Sequence, residues 1–342
     1  MNATHLLVGN PTAQSGKNAE RIDQARALLD TLGVPHDFMA TLPHGATVEG
    51  VSQRMQQHPY TVAIYMGGDG TFAEVAKGIL RSGRQEDIRL GMLPTGTAND
   101  QGKSFGLRSN PGQLEYNVRV IAEGLETRLD VGKIRAEEGP SAREDLFFDS
   151  AGWGISPRVL QLRNEDRKAI AAIPLLRDIY RDQLVYAGAF LRTFLASYVE
   201  DQNFDAVVHA DGQVHEWRGL TDLIIKGTRI YGGRWIFDDS SKHDDGVFEV
   251  VPFLGRNDWL SKAIVHFDGS GLEPERLERL GITHSRGIRA SQIKLTLSAR
   301  SEGSPLCAQI DGEEFPATSS VTIEVLRRAL RIIVPQKYAD PR

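Results

Sequence analysis

The chain has one cysteine in 342 residues, Cys307. A lone thiol forms no internal disulfide, which excludes the disulfide-stapled class of small secreted domain and fits a reducing cytosol. Long hydrophobic runs are lacking too. The nearest candidate, residues 184–199, is interrupted by Arg192 and several polar residues, whereas a helix needs about 18 uninterrupted apolar residues to span a bilayer. The apolar run near the N-terminus covers only Leu6, Leu7 and Val8, with no basic stretch before it, and so does not read as a signal peptide. Neither sign of charge is in excess. The balance of 40 Lys and Arg against 45 Asp and Glu is −5, which gives no electrostatic footprint for nucleic acid and no strong pull toward anionic membranes. Fixed-period repeats and low-complexity tracts are absent as well. These absences lead to an expectation of a cytoplasmic protein that binds no nucleic acid. Any membrane contact is expected to be peripheral and at the inner face, and the reading leaves room for a homodimer.

What is present is the balance of a globular protein, 40% hydrophobic and 25% charged, with enough chain for two domains. The first third alternates short apolar runs with longer amphipathic ones, the pattern of a parallel sheet with crossover helices. Strands are expected at residues 5–9, 34–40, 61–66 and 89–93, and helices at 17–32, 47–57 and 72–80. After about residue 129 strand-like stretches dominate: 147–150, 206–210, 223–226, 247–251, 292–297, 307–310 and 321–325. They imply a mostly antiparallel second domain. A helical stretch from about Pro157 to Tyr198 interrupts it, with basic residues beside apolar ones. That mixture is found in helices that lie on a membrane surface, but a helix packed on the second domain with a solvated outer face is the favoured reading.

Three turns follow strands in the first third, where such folds bind ligands. The first, Asn10-Pro-Thr-Ala-Gln-Ser-Gly-Lys17, joins a strand to a helix and suits an anion, with Asn10 and Lys17 as candidate side chains. It is not a Walker A loop, because Pro11 stands where the first glycine is required and Asn18 where Ser or Thr is. The second is Gly67-Gly-Asp-Gly-Thr71. Its glycines let another molecule approach the backbone. The carboxylate of Asp69 repels phosphate unless a metal lies between them or it accepts from nucleotide hydroxyls, which points to a Mg²⁺-nucleotide site. The third turn is Leu93-Pro-Thr-Gly-Thr-Ala-Asn-Asp100, in which Thr97 can reach a phosphate or an adenine and Asn99 or Asp100 can cap the next helix. A shared nucleotide crevice accounts for all three.

A fourth piece, Gln309-Ile-Asp-Gly-Glu-Glu-Phe315, lies far along the chain. If it is extended, Asp311 and Glu313 face one side and Glu314 the other. Phosphoryl transfer to a hydroxyl needs a base near the hydroxyl. A hairpin turn with exposed acids is the plainer account of the same residues.

Together these four pieces, in this order, resemble the diacylglycerol kinase catalytic domain family, which includes sphingosine and ceramide kinases and soluble bacterial lipid kinases. The Gly67–Thr71 turn alone is shared with NAD kinases; the Leu93–Asp100 turn and the Asp-Gly-Glu piece tilt the resemblance to lipid kinases. The resemblance implies a Rossmann-like nucleotide domain at 1–129, an antiparallel β-sandwich lipid domain at 130–326 and a segment at 327–342 returning to the first domain, with the active site in the cleft. It implies ATP and Mg²⁺ as cofactors, with Gly67, Gly68, Asp69, Gly70 and Thr71 at the phosphates and Thr41 and Thr97 also at the nucleotide. It makes Glu313 the proton acceptor and Asp311 its partner. It also implies a structural Mg²⁺ on Asp245 and the carbonyls of Lys242 and Val247, and a role in phospholipid metabolism.

The chain departs from the family pattern at Ala73, where Asn is usual, at Asp239, where Pro is common, and at Gln101-Gly-Lys, where Phe-Ala-Arg is more usual. The reading is a kinase that phosphorylates a lipid hydroxyl, such as that of a diacylglycerol or sphingoid base. The alternatives are a kinase for a soluble hydroxyl compound such as NAD, and a catalytically silent nucleotide or lipid sensor. The acids retained at 69, 311 and 313 argue against silence.

Overall fold

The computed structural model describes residues 4–96, 99–137, 143–157, 203–232, 235–238, 240–255, 257–258, 261–262, 266, 279, 285–300 and 306–341, apart from the side chains of Gln14, Ser15 and Lys17. Four short strands, β1 (His5–Gly9), β2 (His36–Ala40), β3 (Val62–Gly67) and β4 (Arg89–Pro94), pair in parallel in the order β2-β1-β3-β4. Parallel strands this apolar need cover on both faces. It comes from α1 (Lys17–Thr31), α2 (Ala46–Gln57), α3 (Asp69–Arg81), the short α4 (Asp100–Ser104) and α5 (Leu114–Glu123). Their inward residues, among them Ile22, Leu29, Val51, Val75, Ile79, Val118 and Ile121, join Leu6, Leu7, Val8, Ile64 and Leu90 in one buried core.

The rest of the chain is β-rich. β5 (Glu126–Ala136), β6 (Glu144–Phe147), β8 (Phe204–Ala210), β9 (Gln213–Leu220), β13 (Gln292–Ala299) and β16 (Ser320–Ile333) extend the first sheet to ten strands. β7 (Ser150–Gly154), β10 (Asp222–Lys226), β11 (Phe248–Phe253), β12 (Ile288–Ala290), β14 (Ala308–Ile310) and β15 (Glu313–Phe315) form a second, antiparallel sheet of six. Ile134, Val208, Leu295 and Ile323 of the first sheet share a core with Trp153, Leu223, Val250 and Phe315 of the second, so the second part of the chain is a sandwich.

One strand ties the halves together. β16 runs antiparallel to β5 over most of its length, and near its end Arg331 and Ile332 pair in parallel with Arg89 and Leu90 of β4. The expected boundaries at 129/130 and 326/327 therefore fall inside β5 and β16. The register shifts between Leu326 and Leu330, where Arg328 takes a left-handed φ of 53°. The Asp130 carboxylate fixes that bulge by accepting from the N–H of Arg328 and of Gly246, each at 2.6 Å.

Two expectations change. The strand expected at 147–150 is broken, because β6 ends at Phe147 and β7 begins at Ser150, and there the chain crosses from one sheet to the other. The segment holding Asp311 and Glu313 is not extended throughout. Asp311 (φ 48°) and Gly312 (φ 78°) are the two-residue turn of the β14–β15 hairpin, in which Ile310 pairs with Glu313. Both residues have positive φ, the condition for which Asp-Gly is favoured. The helical stretch expected from about Pro157 to Tyr198 lies, from residue 158, outside the described residues. Among the described residues no helix is long and apolar enough to cross a membrane.

Candidate active site

The parallel strands end on one edge, and three of the expected turns meet there. The Thr41 N–H donates to the Gly9 carbonyl at 3.0 Å, and the N–H groups of Thr95 and Gly96 donate to the Gly67 carbonyl at 2.7 and 3.1 Å. The two glycine turns touch backbone to backbone, since a Cβ on Gly96 would stand 2.5 Å from the Gly68 Cα. Asn99, at a φ of 53°, closes its own turn by accepting from the Gly96 N–H at 3.0 Å and donating to the Gly96 carbonyl at 2.6 Å. The side chain of Asn10 is engaged in its own turn, accepting from Thr12 N–H and Oγ1 at 3.0 and 2.8 Å. Thr97 and the side chain of Lys17 lie outside the described residues.

Asp69 begins α3, directly after Gly68. Its carboxylate is largely buried and lies against the backbone N–H groups of Asn99, Asp100 and Gln101 at the start of α4. A helix start leaves N–H groups without partners, and an anion satisfies them. Asp69 thus locks one glycine turn to the other. Burial pushes its pKa up, and the N–H bonds pull it back down. Its Oδ1 is buried and has no hydrogen-bond partner among the described residues.

The hairpin reaches the same place from the other side. The Asp311 carboxylate accepts from the N–H groups of Phe148 at 3.0 Å, Asp149 at 2.8 Å and Ser150 at 3.2 Å, and the Asp311 N–H donates to the Ser150 carbonyl at 2.8 Å. Burial pushes its pKa up to about 6 against the opposing pull of these bonds and of Lys77. Asp149, wholly buried, accepts from the Thr228 hydroxyl, and its pKa is raised by burial and by the charge of Asp100. Gln101, at one of the departures from the family pattern, donates to the Phe148 carbonyl at 2.6 Å and joins α4 to the sheet crossing.

With Asp311 held in this way, Glu313 lies exposed at the hairpin tip, and a Cβ on Gly70 would stand 3.6 Å from its Oε1. Along β15 alternate residues share a face, so Glu313 is on the side of the buried Phe315 and Glu314 is on the other. The structure brings Glu313 to the first turn of α3. It does not bring Asp311 there as a facing partner, because that carboxylate is engaged with backbone. A residue the sequence reading missed is Glu74, one helical turn beyond Gly70. Burial raises its pKa and the negative charge of Glu313 adds to the rise, while the Thr47 hydroxyl and Lys77 lower it. Its spacing of four from Gly70 puts it on the same helix face, but nothing in α3 itself points to the hairpin.

The expected metal loop lies elsewhere. Asp245 is ion-paired with Arg289, and its Oδ1 accepts from the Val247 N–H at 3.3 Å. Asp244 pairs with Arg328 at 2.7 Å, and His243 meets the Thr127 hydroxyl at 3.1 Å. Among the described residues no group of three or more His, Cys, Asp or Glu is arranged to hold a metal ion. A carboxylate with two carbonyls has the right donor chemistry for Mg²⁺, and here the Asp245 carboxylate is paired with the Arg289 guanidinium. Asp239 lies outside the described residues.

A two-domain chain with paired glycine turns at a parallel sheet edge, and a carboxylate facing them from a sandwich, is the architecture of a kinase. Residues 4–134 match the diacylglycerol kinase catalytic domain. The chain is 31% identical over 248 residues to a diacylglycerol kinase from Staphylococcus carnosus (strain TM300), covering 72% of this chain and 71% of that one. It is 33% identical over 129 residues to the diacylglycerol kinase of Staphylococcus aureus, covering 37% of this chain and 39% of that one. A solved structure of a diacylglycerol kinase from Bacillus anthracis str. Sterne matches the fold with a TM-score of 0.67 at 17% identity over 99% of both chains. A yeast NADH kinase structure reaches a TM-score of 0.50 at 8% identity over 98% of this chain and 85% of that one. The chain belongs to the diacylglycerol kinase family.

Three outcomes follow from this geometry. Gly70→Ala adds a Cβ in ordinary contact with Glu313 and is expected to leave stability within about 0.5 kcal/mol. It is expected to cut phosphorylation about tenfold or more by narrowing the approach to the helix start; urea unfolding and turnover measured together check this. For Asp311, the folded pKa of about 6 lies above the unfolded value of about 3.9. The native state therefore binds the proton more tightly, so stability from this group is present below about pH 4 and is lost as pH rises through about 6. Compared with Asp311→Asn, wild type should lose on the order of 2–3 kcal/mol across that window in urea unfolding at stepped pH. In the loop, neither EDTA nor millimolar Mg²⁺ should move the Tm of the nucleotide-free protein by more than about 1 °C. A rise with Mg²⁺ that Asp245→Asn abolishes would show that the loop takes the ion.

Proposed function

We propose that this kinase transfers the terminal phosphoryl group of ATP to the hydroxyl of a lipid or lipid-like alcohol, with Glu313 as proton acceptor. The observation that carries the reading is the position of the exposed Glu313 carboxylate beside Gly70, across from the first turn of α3. That turn begins in three glycines out of four residues, Gly67, Gly68 and Gly70. Its leading N–H groups and the dipole of a 13-residue helix suit the phosphates, and the missing side chains leave them room. The edge containing Asn10 and Thr41 suits the rest of the nucleotide. When bound, Mg²⁺-ATP supplies the phosphoryl group and the metal's neutralisation of phosphate charge.

The chain's own part is placement and proton acceptance. An alcohol is a poor nucleophile until its proton is accepted as the new O–P bond forms. Glu313 takes that proton while the bond from phosphorus to the ADP oxygen breaks, a contribution of about 10² to 10⁴ in rate. The buried Phe315 on the same strand face fixes the hairpin behind it. Family membership supports a lipid acceptor over a soluble one.

The test is a radiolabelled-ATP assay against diacylglycerols, sphingoid bases and other lipid alcohols in mixed micelles, with NAD as a soluble arm. Label appearing in a lipid supports the reading, and label appearing only in the NAD arm overturns it. Glu313→Gln is expected to lose about 10² to 10⁴ in kcat with the KM for ATP unchanged. Glu314→Gln should keep wild-type turnover, and equal mild losses in both would show that the base is misassigned.

A further inference from the structure

Where the chain crosses from β6 to β7, the carbonyls of Phe148, Asp149 and Ser150 need donors as much as their N–H groups need an acceptor. Two of the three are met by backbone. The Asp149 carbonyl accepts from the Gly227 N–H at 2.9 Å, and the Ser150 carbonyl from the Asp311 N–H at 2.8 Å. The Phe148 carbonyl accepts instead from a side chain, the Gln101 amide of α4, at 2.6 Å. Gln101 is 1% exposed, and its Oε1 is buried with no hydrogen-bond partner among the described residues, so the amide is placed for its donor. Phe148 is held on two further sides. Its N–H donates to the Asp311 carboxylate at 3.0 Å, and its ring meets that of Phe72 in α3 edge-on, with centroids 5.6 Å apart. Phe72 lies in the first turn of α3, where its own N–H donates to the Gly68 carbonyl at 3.1 Å. One residue therefore joins the parts of the proposed site: the glycine turns through Gln101 and Phe72, and the hairpin of Glu313 through Asp311.

We infer that Gln101 is a positioning residue for the proposed kinase site: its amide ties the sheet crossing to α4 and so sets the spacing between the glycine turns and the Glu313 carboxylate. This rests on the lipid kinase reading above. α4 follows the turn that Asn99 closes on Gly96, and Gly96 packs on Gly68, so the nucleotide side of the link is rigid. On the other side, the crossing holds Asp311 by three N–H groups, and Glu313 is the next residue but one. A crossing released from α4 would carry that hairpin with it, and a displacement of about 1 Å in a positioned group can cost about 10²-fold in rate. The family more usually has Phe at this position, and Phe has no donor, so the bond is this chain's own means of fixing the crossing. Gln101 acts through Phe148 and Asp311 and takes no part in the proton transfer.

The test uses full-length wild type, Gln101→Met, Gln101→Asn, Glu313→Gln and the double variant of Gln101→Met with Glu313→Gln. Met keeps the reach of the side chain without a donor, and Asn keeps the donor but withdraws it by a methylene. Each protein is measured for kcat and the KM for ATP on the lipid that wild type phosphorylates, and for amide hydrogen exchange. Gln101→Met should lower kcat about tenfold or more with the KM for ATP unchanged, and Gln101→Asn should lose less. Because Gln101 acts by placing Glu313, the double variant should be no slower than Glu313→Gln alone. Exchange in the β14–β15 hairpin should quicken about tenfold in Gln101→Met, while that of β1 and β3 keeps its wild-type rate. Wild-type kcat in Gln101→Met overturns the inference, as does a loss that multiplies fully with that of Glu313→Gln. Should Gln101→Met fail to fold, the same comparisons are made on Gln101→Asn. If wild type phosphorylates no lipid, the lipid kinase reading fails on that arm alone, and hairpin exchange at the wild-type rate overturns placement by Gln101 whatever the substrate.

Discussion

The Asp311 carboxylate, gathering the N–H groups of Phe148, Asp149 and Ser150, is the interaction on which the rest of the site depends. At that point the chain leaves the first sheet and enters the second, so three consecutive backbone groups have no strand to pair with. A buried N–H without an acceptor is costly, and one carboxylate meets all three. The same residue is the first of a two-residue hairpin turn, so satisfying the crossing also fixes where β15 begins. Glu313 is the next residue but one. The position of the proposed base is thus set by backbone hydrogen bonding at a sheet crossing.

Asp69 does the corresponding work on the nucleotide side. Its burial is unfavourable for a charge, and the start of α4 offsets this with three N–H groups. The two aspartates follow one rule: an acid buried in the cleft is held by peptide dipoles. The consequence is electrostatic. In the proposed reaction ATP would bring several negative charges into a region crowded with Asp69, Asp100, Asp149 and Asp311. Of these, Asp69 and Asp311 are turned to N–H groups and Asp149 to the Thr228 hydroxyl. Their charge is directed inward, and the positive end of α3 is left facing outward.

Much of this was legible before the coordinates. β1 spans His5–Gly9 as its apolar run indicates, and the other parallel strands begin or end within two residues of expectation, because an apolar run between a turn and a helix has few alternatives. The antiparallel second part was legible from its strand spacing. α3 begins earlier than expected, at Asp69, since glycine residues read as turn although a helix can start on them. α5 went unnoticed because Leu114, Val118 and Ile121 are sparse apolar markers in a short helix. Among site residues, Asp69, Asp311 and Glu313 were singled out by residue type, but the backbone N–H groups that face the first two were not foreseen. Whether a carboxylate faces metal, base or peptide depends on which backbone groups are unpaired nearby, and that is a property of the sheet crossing rather than of the local sequence. Glu74 was invisible for the same reason: nothing within α3 shows that a hairpin more than two hundred residues away lies over it.

The loop at 242–247 shows the other solution to the same electrostatic problem. Away from the cleft the acids are met by arginines: Asp245 by Arg289, and Asp244 and Asp340 by Arg328 at the β16 bulge. A guanidinium holds a carboxylate in a defined plane, which suits a place where β16 passes from the sandwich to the parallel sheet and the two halves must keep their registration. Lys77, whose charge lowers the pKa of the Asp311 carboxyl, is tied to Asp145 at 2.6 Å. The partition is peptide dipoles in the proposed site and arginines where the two halves must hold, and it lets one chain set the proposed base against a helix start without neutralising either.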